Sequence, residues 1–185
     1  MFSNSDGTCN DLARAAVRLG FHDAGAWSTS SGPGGADGSL VLSPDEITRS
    51  ENNGLQDIRS QALSIMSKYS SFKIGAADLV QFMHNVATIT CPLGPRVLTF
   101  VGRPDSSTAN PTGLLPDVNS PADVLIQLFE DKTFSSVDLI ALIGAHTAAK
   151  QFFVDASLAG APLDSTPGVW DVEFFSETLA ASPPA

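Results

Sequence analysis

Long apolar runs are missing from this sequence. No stretch approaches the ~20 consecutive apolar residues that a membrane-spanning helix needs. Basic residues are scarce: ten Lys and Arg stand against twenty Asp and Glu, a formal net charge of -10. That balance argues against nucleic acids and anionic membranes as partners, since both need Lys/Arg surfaces, and it suits an acidic medium or bound cations. Cysteine is limited to Cys9 and Cys91, without the CxxC spacing of a zinc or redox site. They are either two buried thiols or one long-range disulfide, which would point to an oxidising compartment. The N-terminal residues lack the basic segment and apolar run of a secretory leader, so any leader is already removed or never existed. Strand signals are nearly absent, residues 97–101 being the best candidate, and there are no internal repeats.

What is present suits one domain or one two-lobed unit. The chain has 185 residues, 43% of them hydrophobic, and a chain near this size buries roughly 70% of its unfolded surface. Leu12, Ala16 and Leu19 recur at helical spacing within residues 10–21. Leu55, Ile58, Ala62, Ile65 and Tyr69 alternate steps of three and four. Residues 76–87 carry Leu79, Val80, Phe82, Met83 and Val86 around much of the circumference, which predicts a central helix. A Pro/Gly-rich connection over 91–119 follows, with breaker pairs such as Asn110-Pro111, and divides an expected first lobe (1–119) from a second (120–185). Ser120-Pro121-Ala122-Asp123 reads as a helix start with Ser120 as the cap. Ser135-Ser136-Val137-Asp138 opens a helix with Leu139, Leu142, Ile143 and His146 on one face. Beyond His146 the pattern is loop, with Trp170, Phe174, Phe175 and Leu179 left to bury. The class is mainly α.

Three groups of residues could do chemistry. Arg18 and His22 are four apart and share a helix face. A permanent guanidinium charge disfavours protonation of a neighbouring imidazole and leaves it free to act as a base; the plainer reading is a helix-end His beside a solvated Arg. Asp23, with Gly35, Asp37 and Ser39 beyond a Gly/Ser-rich loop, offers the hard oxygen donors that calcium takes, although a glycine turn with a solvated Asp is the simpler alternative. His146 is a lone His on an apolar face, ordinarily a core residue, yet a buried neutral imidazole also serves as a haem ligand. The run from Asp164 to Asp171 is a second possible oxygen cage. His84, inside the apolar stretch 76–87, reads as structural.

In order along the chain these pieces resemble the plant/fungal haem peroxidase superfamily, and in particular its secreted fungal branch. Arg18-Leu19-Gly20-Phe21-His22-Asp23 looks like the distal helix motif, and Gly34-Gly35-Ala36-Asp37-Gly38-Ser39 the distal calcium loop. Glu51-Asn52-Asn53-Gly54-Leu55 is similar to the segment whose Asn orients the distal His, and Cys91-Pro92-Leu93-Gly94-Pro95-Arg96 to the middle connection. Ile143-Gly144-Ala145-His146-Thr147 resembles the proximal motif, and Asp164 to Asp171 the proximal calcium loop.

The resemblance implies a helical fold with a distal lobe and part of a proximal lobe, haem b, two calcium ions and a disulfide between Cys9 and Cys91. It implies that His22 moves a proton between the peroxide oxygens and that Arg18 stabilises the charge developing as the O–O bond breaks. Phe21 would wall the distal side, Asn52 would accept the other N–H of His22, and Glu46 would hold Asn52. His146 would ligate the iron. Distal calcium would take Asp23, Gly35, Asp37 and Ser39; proximal calcium would take Thr147, Asp164, Thr166, Val169 and Asp171. The implied protein is a secreted monomer that reduces hydrogen peroxide in one two-electron step and oxidises small phenolic or aromatic donors in two one-electron steps.

The sequence also departs from that pattern. The positions of an acidic manganese trio hold Asp11, Ala15 and Phe152, and Ala141 stands where a surface Trp serves the lignin-oxidising members. One carboxylate of three is a poor site for a hard dication. The family extends beyond residue 185 with the Asp that would hydrogen-bond the proximal His, and carries a further helix before the distal one. The expectation is therefore a fragment or truncated product, or else a chain in which other contacts compensate. Its alternative role is that of a catalytically silent remnant binding calcium or a partner chain.

Overall fold

The computed structural model of the protein describes residues 1–180. Its α-helices are α1 (Asp11–Ala24), α2 (Ser39–Leu42), α3 (Gln56–Lys68), α4 (Ala76–Thr90), α5 (Ala122–Glu130), α6 (Ser136–Ile143) and α7 (Glu173–Ala180). No β-strand forms among the described residues, only isolated bridges, so the mainly α class is observed. None of the described helices is long and apolar enough to cross a membrane.

α1 begins where the Asn10 side chain accepts the Ala13 N–H at 3.1 Å, which satisfies one of the donors a helix start leaves free. It runs past the expected end at residue 21 and so carries His22 and Asp23 on its last turn. Its inward residues Ala16, Val17 and Leu19 join Ile58 and Ala62 of α3, Val80, Met83 and Ala87 of α4, and Leu40 and Val41 of α2 in one core. α1 and α4 approach closely at Gly20, where a Cβ would lie 2.5 Å from His84 Cβ. His84 Nδ1 sits 2.8 Å from the Val17 carbonyl. Phe82 departs from the expected all-round burial of α4: it is exposed. Cys9 and Cys91 form a disulfide, which links the residue before the α1 cap to the residue after α4.

Residues 97–101 do not form the expected strand. A strand needs a ladder partner, and none lies beside this segment among the described residues; Leu98, Phe100 and Val101 are exposed. One side chain of the connection and one of α4 fasten the two together instead. Asp105 accepts the Ala76 and Ala77 N–H groups at 2.9 Å each and so caps α4 from a distance, while Asp78 accepts Gly102 N–H at 2.6 Å and pairs with Arg103.

Ser120 does not cap α5; Pro121 occupies the cap position without a side-chain bond. Ser135 and Asp138 do make a reciprocal capping box at the start of α6, at 3.2 and 2.9 Å. α6 stops at Ile143, and the chain tightens into a 3₁₀ turn, Gly144–Ala148, that carries His146. The expected loop after His146 ends in α7, and Leu179, expected to be buried, is 88% exposed. The turn between α5 and α6 docks on the Gly/Ser loop: Lys132 Nζ donates to the Trp27 carbonyl at 2.6 Å and the Asp131 carbonyl accepts Thr29 N–H at 2.9 Å.

Candidate active site

The last two turns of α1 present Arg18 and His22 together, with Arg18 Nε 3.2 Å from His22 Nε2. An arginine nitrogen only donates, so this contact makes Nε2 the acceptor and leaves the ring proton on Nδ1. Nδ1 lies 2.8 Å from Asn52 Oδ1, an acceptor, which fixes the same tautomer from the other side. The Asn52 amide in turn donates to the Glu46 main-chain carbonyl at 2.8 Å. Glu46 thus holds Asn52 through its backbone, and its carboxylate accepts the Asn110 N–H at 2.9 Å. The other Arg18 nitrogens donate to the Asn53 and Glu51 carbonyls, each at 2.6 Å. The two short 3₁₀ turns Glu46–Thr48 and Ser50–Asn52 are what bring these groups beneath α1.

Burial and then the Arg18 charge push the His22 pKa down to about 4, against the Asn52 hydrogen bond. Burial also lowers Arg18, to about 10, so the guanidinium remains charged at neutral pH. The pair is a neutral base beside a fixed cation. Phe21 lies edge-on to His22 at 5.8 Å and parallel to Phe129 of α5 at 6.4 Å.

His146 is solvent-accessible rather than buried as the helical pattern suggests, and it lies in the 3₁₀ turn beyond the end of α6. Its ring packs against Phe174 of α7 at 5.1 Å. Surrounding protein and then the Arg18 charge lower its pKa, so it too is neutral near pH 7 and free to ligate a metal. The Arg18 field therefore reaches both histidines. Phe153 stacks under the Arg18 guanidinium at 5.7 Å, and Asp11 pairs with Arg14 at 2.5 Å and Lys150 at 2.7 Å.

Among the described residues no three His, Cys, Asp or Glu side chains cluster to hold a metal, but two sets of mixed oxygen donors assemble. In the first, Asp23 is fully buried and accepts Gly38 and Leu40 N–H groups at 3.0 and 3.3 Å. Burial raises its pKa to about 7, helped by the charges of Asp37 and Glu46. Asp37 accepts Ser39 N–H at 3.0 Å, and the Gly35 carbonyl faces the Asn110 amide at 3.1 Å. Ser39 Oγ is the one buried side-chain polar atom without a hydrogen-bond partner among the described residues. In the second set Thr147 Oγ1 lies 2.6 Å from Asp164 and 3.1 Å from Asp171, and Thr166 Oγ1 donates to Asp171 at 2.9 Å. Burial, then Asp171 and Glu177, raises the Asp164 pKa. Val169 enters only through its main chain, its N–H donating to the Thr166 carbonyl at 2.9 Å. Asn110 and Glu177, which closes on Ser165, were not apparent as site residues in the sequence; their bonds run largely through main-chain atoms of distant residues.

Fold and site define a helical protein with a base-and-guanidinium pair on one element and a second neutral imidazole on another. A family model described as "Peroxidase" matches residues 2–182. Manganese peroxidase H4 of Phanerodontia chrysosporium is 40% identical over 178 residues, covering 94% of this chain and 46% of the relative. Versatile peroxidase VPS1 of Pleurotus eryngii is 34% identical over 178 residues, covering 92% and 47%. Ligninase H2 of Phanerodontia chrysosporium is 34% identical over 180 residues, covering 93% and 48%. The chain belongs to the peroxidase family. It spans about half the length of the curated relatives it matches.

Proposed function

We propose that this chain is part of a secreted haem peroxidase that reduces hydrogen peroxide and oxidises small phenolic or aromatic donors one electron at a time. The observation that carries this reading is the Arg18–His22–Asn52–Glu46 chain of hydrogen bonds. His22, unprotonated at Nε2, takes a proton from hydrogen peroxide and returns it to the departing oxygen. Arg18 stabilises the negative charge that develops on that oxygen. Asn52 holds the imidazole in the tautomer this requires, and Glu46 holds Asn52. Phe21 walls the same side. Haem b, held by His146, would supply the redox chemistry when bound. Residues 1–119 would form the distal lobe and 120–185, of which 181–185 lie outside the described residues, part of the proximal one, in a monomer.

Two calcium ions fit the oxygen sets. Asp23, Asp37, the Gly35 carbonyl and the otherwise unpartnered Ser39 hydroxyl would hold the first. Asp164, Asp171, Thr147, Thr166 and the Val169 main chain would hold the second, a cation offsetting the repulsion between the two carboxylates. Aromatic donors are favoured over manganese because Asp11 is already paired with Arg14 and Lys150, and Phe152 adds no charge.

Titration of the purified chain with haemin in calcium buffer tests the proposal. A saturable Soret shift and peroxide-dependent dye oxidation are expected, with His22→Leu losing the oxidation and keeping the Soret band. No shift would overturn the reading and, if calcium still bound, leave the catalytically silent alternative.

A further inference from the structure

His84 is a histidine that the proposed function does not use, and its ring is seated on the helix that carries Arg18 and His22. Its Nδ1 lies 2.8 Å from the Val17 carbonyl. A carbonyl only accepts, so the ring proton sits on Nδ1 and is donated to α1. Burial lowers the His84 pKa against that bond, so the ring is neutral near pH 7. Three residues earlier on α4, Gln81 Nε2 donates to the Gly20 carbonyl at 3.0 Å. Between these two bonds the His84 side chain lies against Gly20. A Cβ there would stand 2.5 Å from His84 Cβ and 2.7 Å from its Cγ and Nδ1. Only a glycine lets the two helices come this close.

The contact falls behind the reacting face. At about 100° per residue, Gly20 lies roughly 160° round α1 from both Arg18 and His22. Those two side chains point the other way, onto residues 51–53. There Arg18 donates to the Asn53 and Glu51 carbonyls at 2.6 Å each, and His22 Nδ1 meets Asn52 Oδ1 at 2.8 Å. α1 is thus held from behind by α4 and in front by this turn. We propose that His84 is a positioning residue: seated on Gly20 and bonded to the Val17 carbonyl, it fixes α1 at the depth where the Arg18 guanidinium meets the His22 ring. The Arg18 Nε–His22 Nε2 distance of 3.2 Å stands at the long end of the hydrogen-bond range. A small displacement of α1 therefore opens that contact before it opens the 2.6 Å bonds. This inference rests on the reading of Arg18 and His22 as the reacting pair, but its test uses neither haem nor turnover.

The test follows hydrogen exchange of the Arg18 Nε–H by ¹⁵N NMR in the full chain. The Arg59 Nε–H, which donates to the Val41 carbonyl at 2.9 Å and takes no part in this contact, is the internal standard. His84→Leu keeps bulk and removes the donor. Arg18 exchange is expected to rise about tenfold relative to Arg59, the equivalent of opening one ordinary hydrogen bond. His84→Asn, whose amide nitrogen can stand where Nδ1 stands, is expected to restore the wild-type ratio. Gly20→Ala gives a second comparison if the leucine variant does not fold. Alanine is the better helix former, so propensity alone predicts slower Arg18 exchange, whereas a Cβ that pushes α1 off His84 should speed it. A merely structural His84 would lower the melting temperature and speed Arg18 and Arg59 alike. An unchanged Arg18-to-Arg59 ratio in His84→Leu or Gly20→Ala, or no recovery in His84→Asn, would overturn the proposal. Failure of haemin to bind would count against the proposed function and not against this positioning.

Discussion

Replacing Arg18 by Gln tests how the electrostatics of the site serve its chemistry. Burial is the larger reason that His22 titrates at about 4, and the Arg18 charge is the second. Charges roughly 5 Å apart interact by about 1–3 kcal/mol at effective dielectrics between ~80 and ~20, which corresponds to about one to two pKa units. His22 acts as a base only when unprotonated, so peroxide consumption should fall through one proton as pH drops below about 4 in the wild type. Arg18→Gln removes the repelling charge and keeps a donor. The limb should move up by about one to two units yet stay below 6.5, the ordinary value of an imidazole, because burial persists. On the plateau the rate should drop by ~10²–10³, the usual cost of losing one group that stabilises developing charge. The assay is peroxide consumption with a phenol donor, normalised to haem content and run from about pH 3 to pH 8. A limb that stays near 4 would show that the guanidinium is not felt at the ring; a limb at or above 6.5 would refute the primacy of burial.

Cys9→Ala/Cys91→Ala opens a loop with a separation of 82 residues and should cost about 4.5 kcal/mol on the chain-entropy model. For a chain of 185 residues that lowers the melting temperature by roughly 12 °C at ~2.1 cal/mol/K per residue; circular dichroism would measure it, and a loss under a third of that would contradict the entropic account. Thr133 holds φ 71, a left-handed backbone that costs a side chain roughly 1–2 kcal/mol. Thr133→Gly should therefore stabilise by about 0.5–1 kcal/mol after the greater chain entropy of glycine is subtracted, read by urea denaturation. Removal of calcium with EGTA should lower the melting temperature, since an ion at 100 times its Kd adds about 2.7 kcal/mol; no change would argue against both oxygen cages.

The helical class was legible because α1, α3 and α4 carry their apolar residues at steps of three and four, and because Ser135 and Asp138 cap within four residues of each other. Residues 97–101 misled because β-branched and aromatic side chains such as Phe100 and Val101 stay exposed with no strand partner beside them among the described residues; the bonds from α4 fall on the Thr99 hydroxyl, Gly102 and Arg103. α7 was hidden by the Pro/Gly run just before it, which masks a short helix placed by contact with the Gly144–Ala148 turn. Within the site, i,i+4 spacing pointed to Arg18 and His22, but nothing local links His22 to Asn52 across 30 residues; only the resemblance named that pair. Asn110 was illegible by either route, since no spacing rule records a main-chain N–H meeting a carboxylate 64 residues away. The exposure of His146 was equally hidden, because the apolar residues that precede it, Ile140 and Leu142, are themselves exposed.

The disulfide also divides the molecule. Cys9 and Cys91 close a covalent ring that contains Arg18, His22, Asp23, Glu46 and Asn52, while His146, Asp164 and Asp171 lie outside it. The outer segment is fastened beside the clasp of that ring: Cys9 N–H donates to the Gly168 carbonyl at 3.0 Å and Trp170 N–H to the Pro92 carbonyl at 2.8 Å. Arg14 adds a bond to the Pro167 carbonyl at 2.9 Å. The two histidines thus belong to segments held differently, one enclosed by covalent chain and the other joined to it only by non-covalent contacts, among them these bonds, the Lys150–Asp11 pair and the Lys132–Trp27 bond. On warming, such contacts can open while the ring stays closed, which would separate the two sides of the site and leave the His22–Asn52–Glu46 bonds inside the ring.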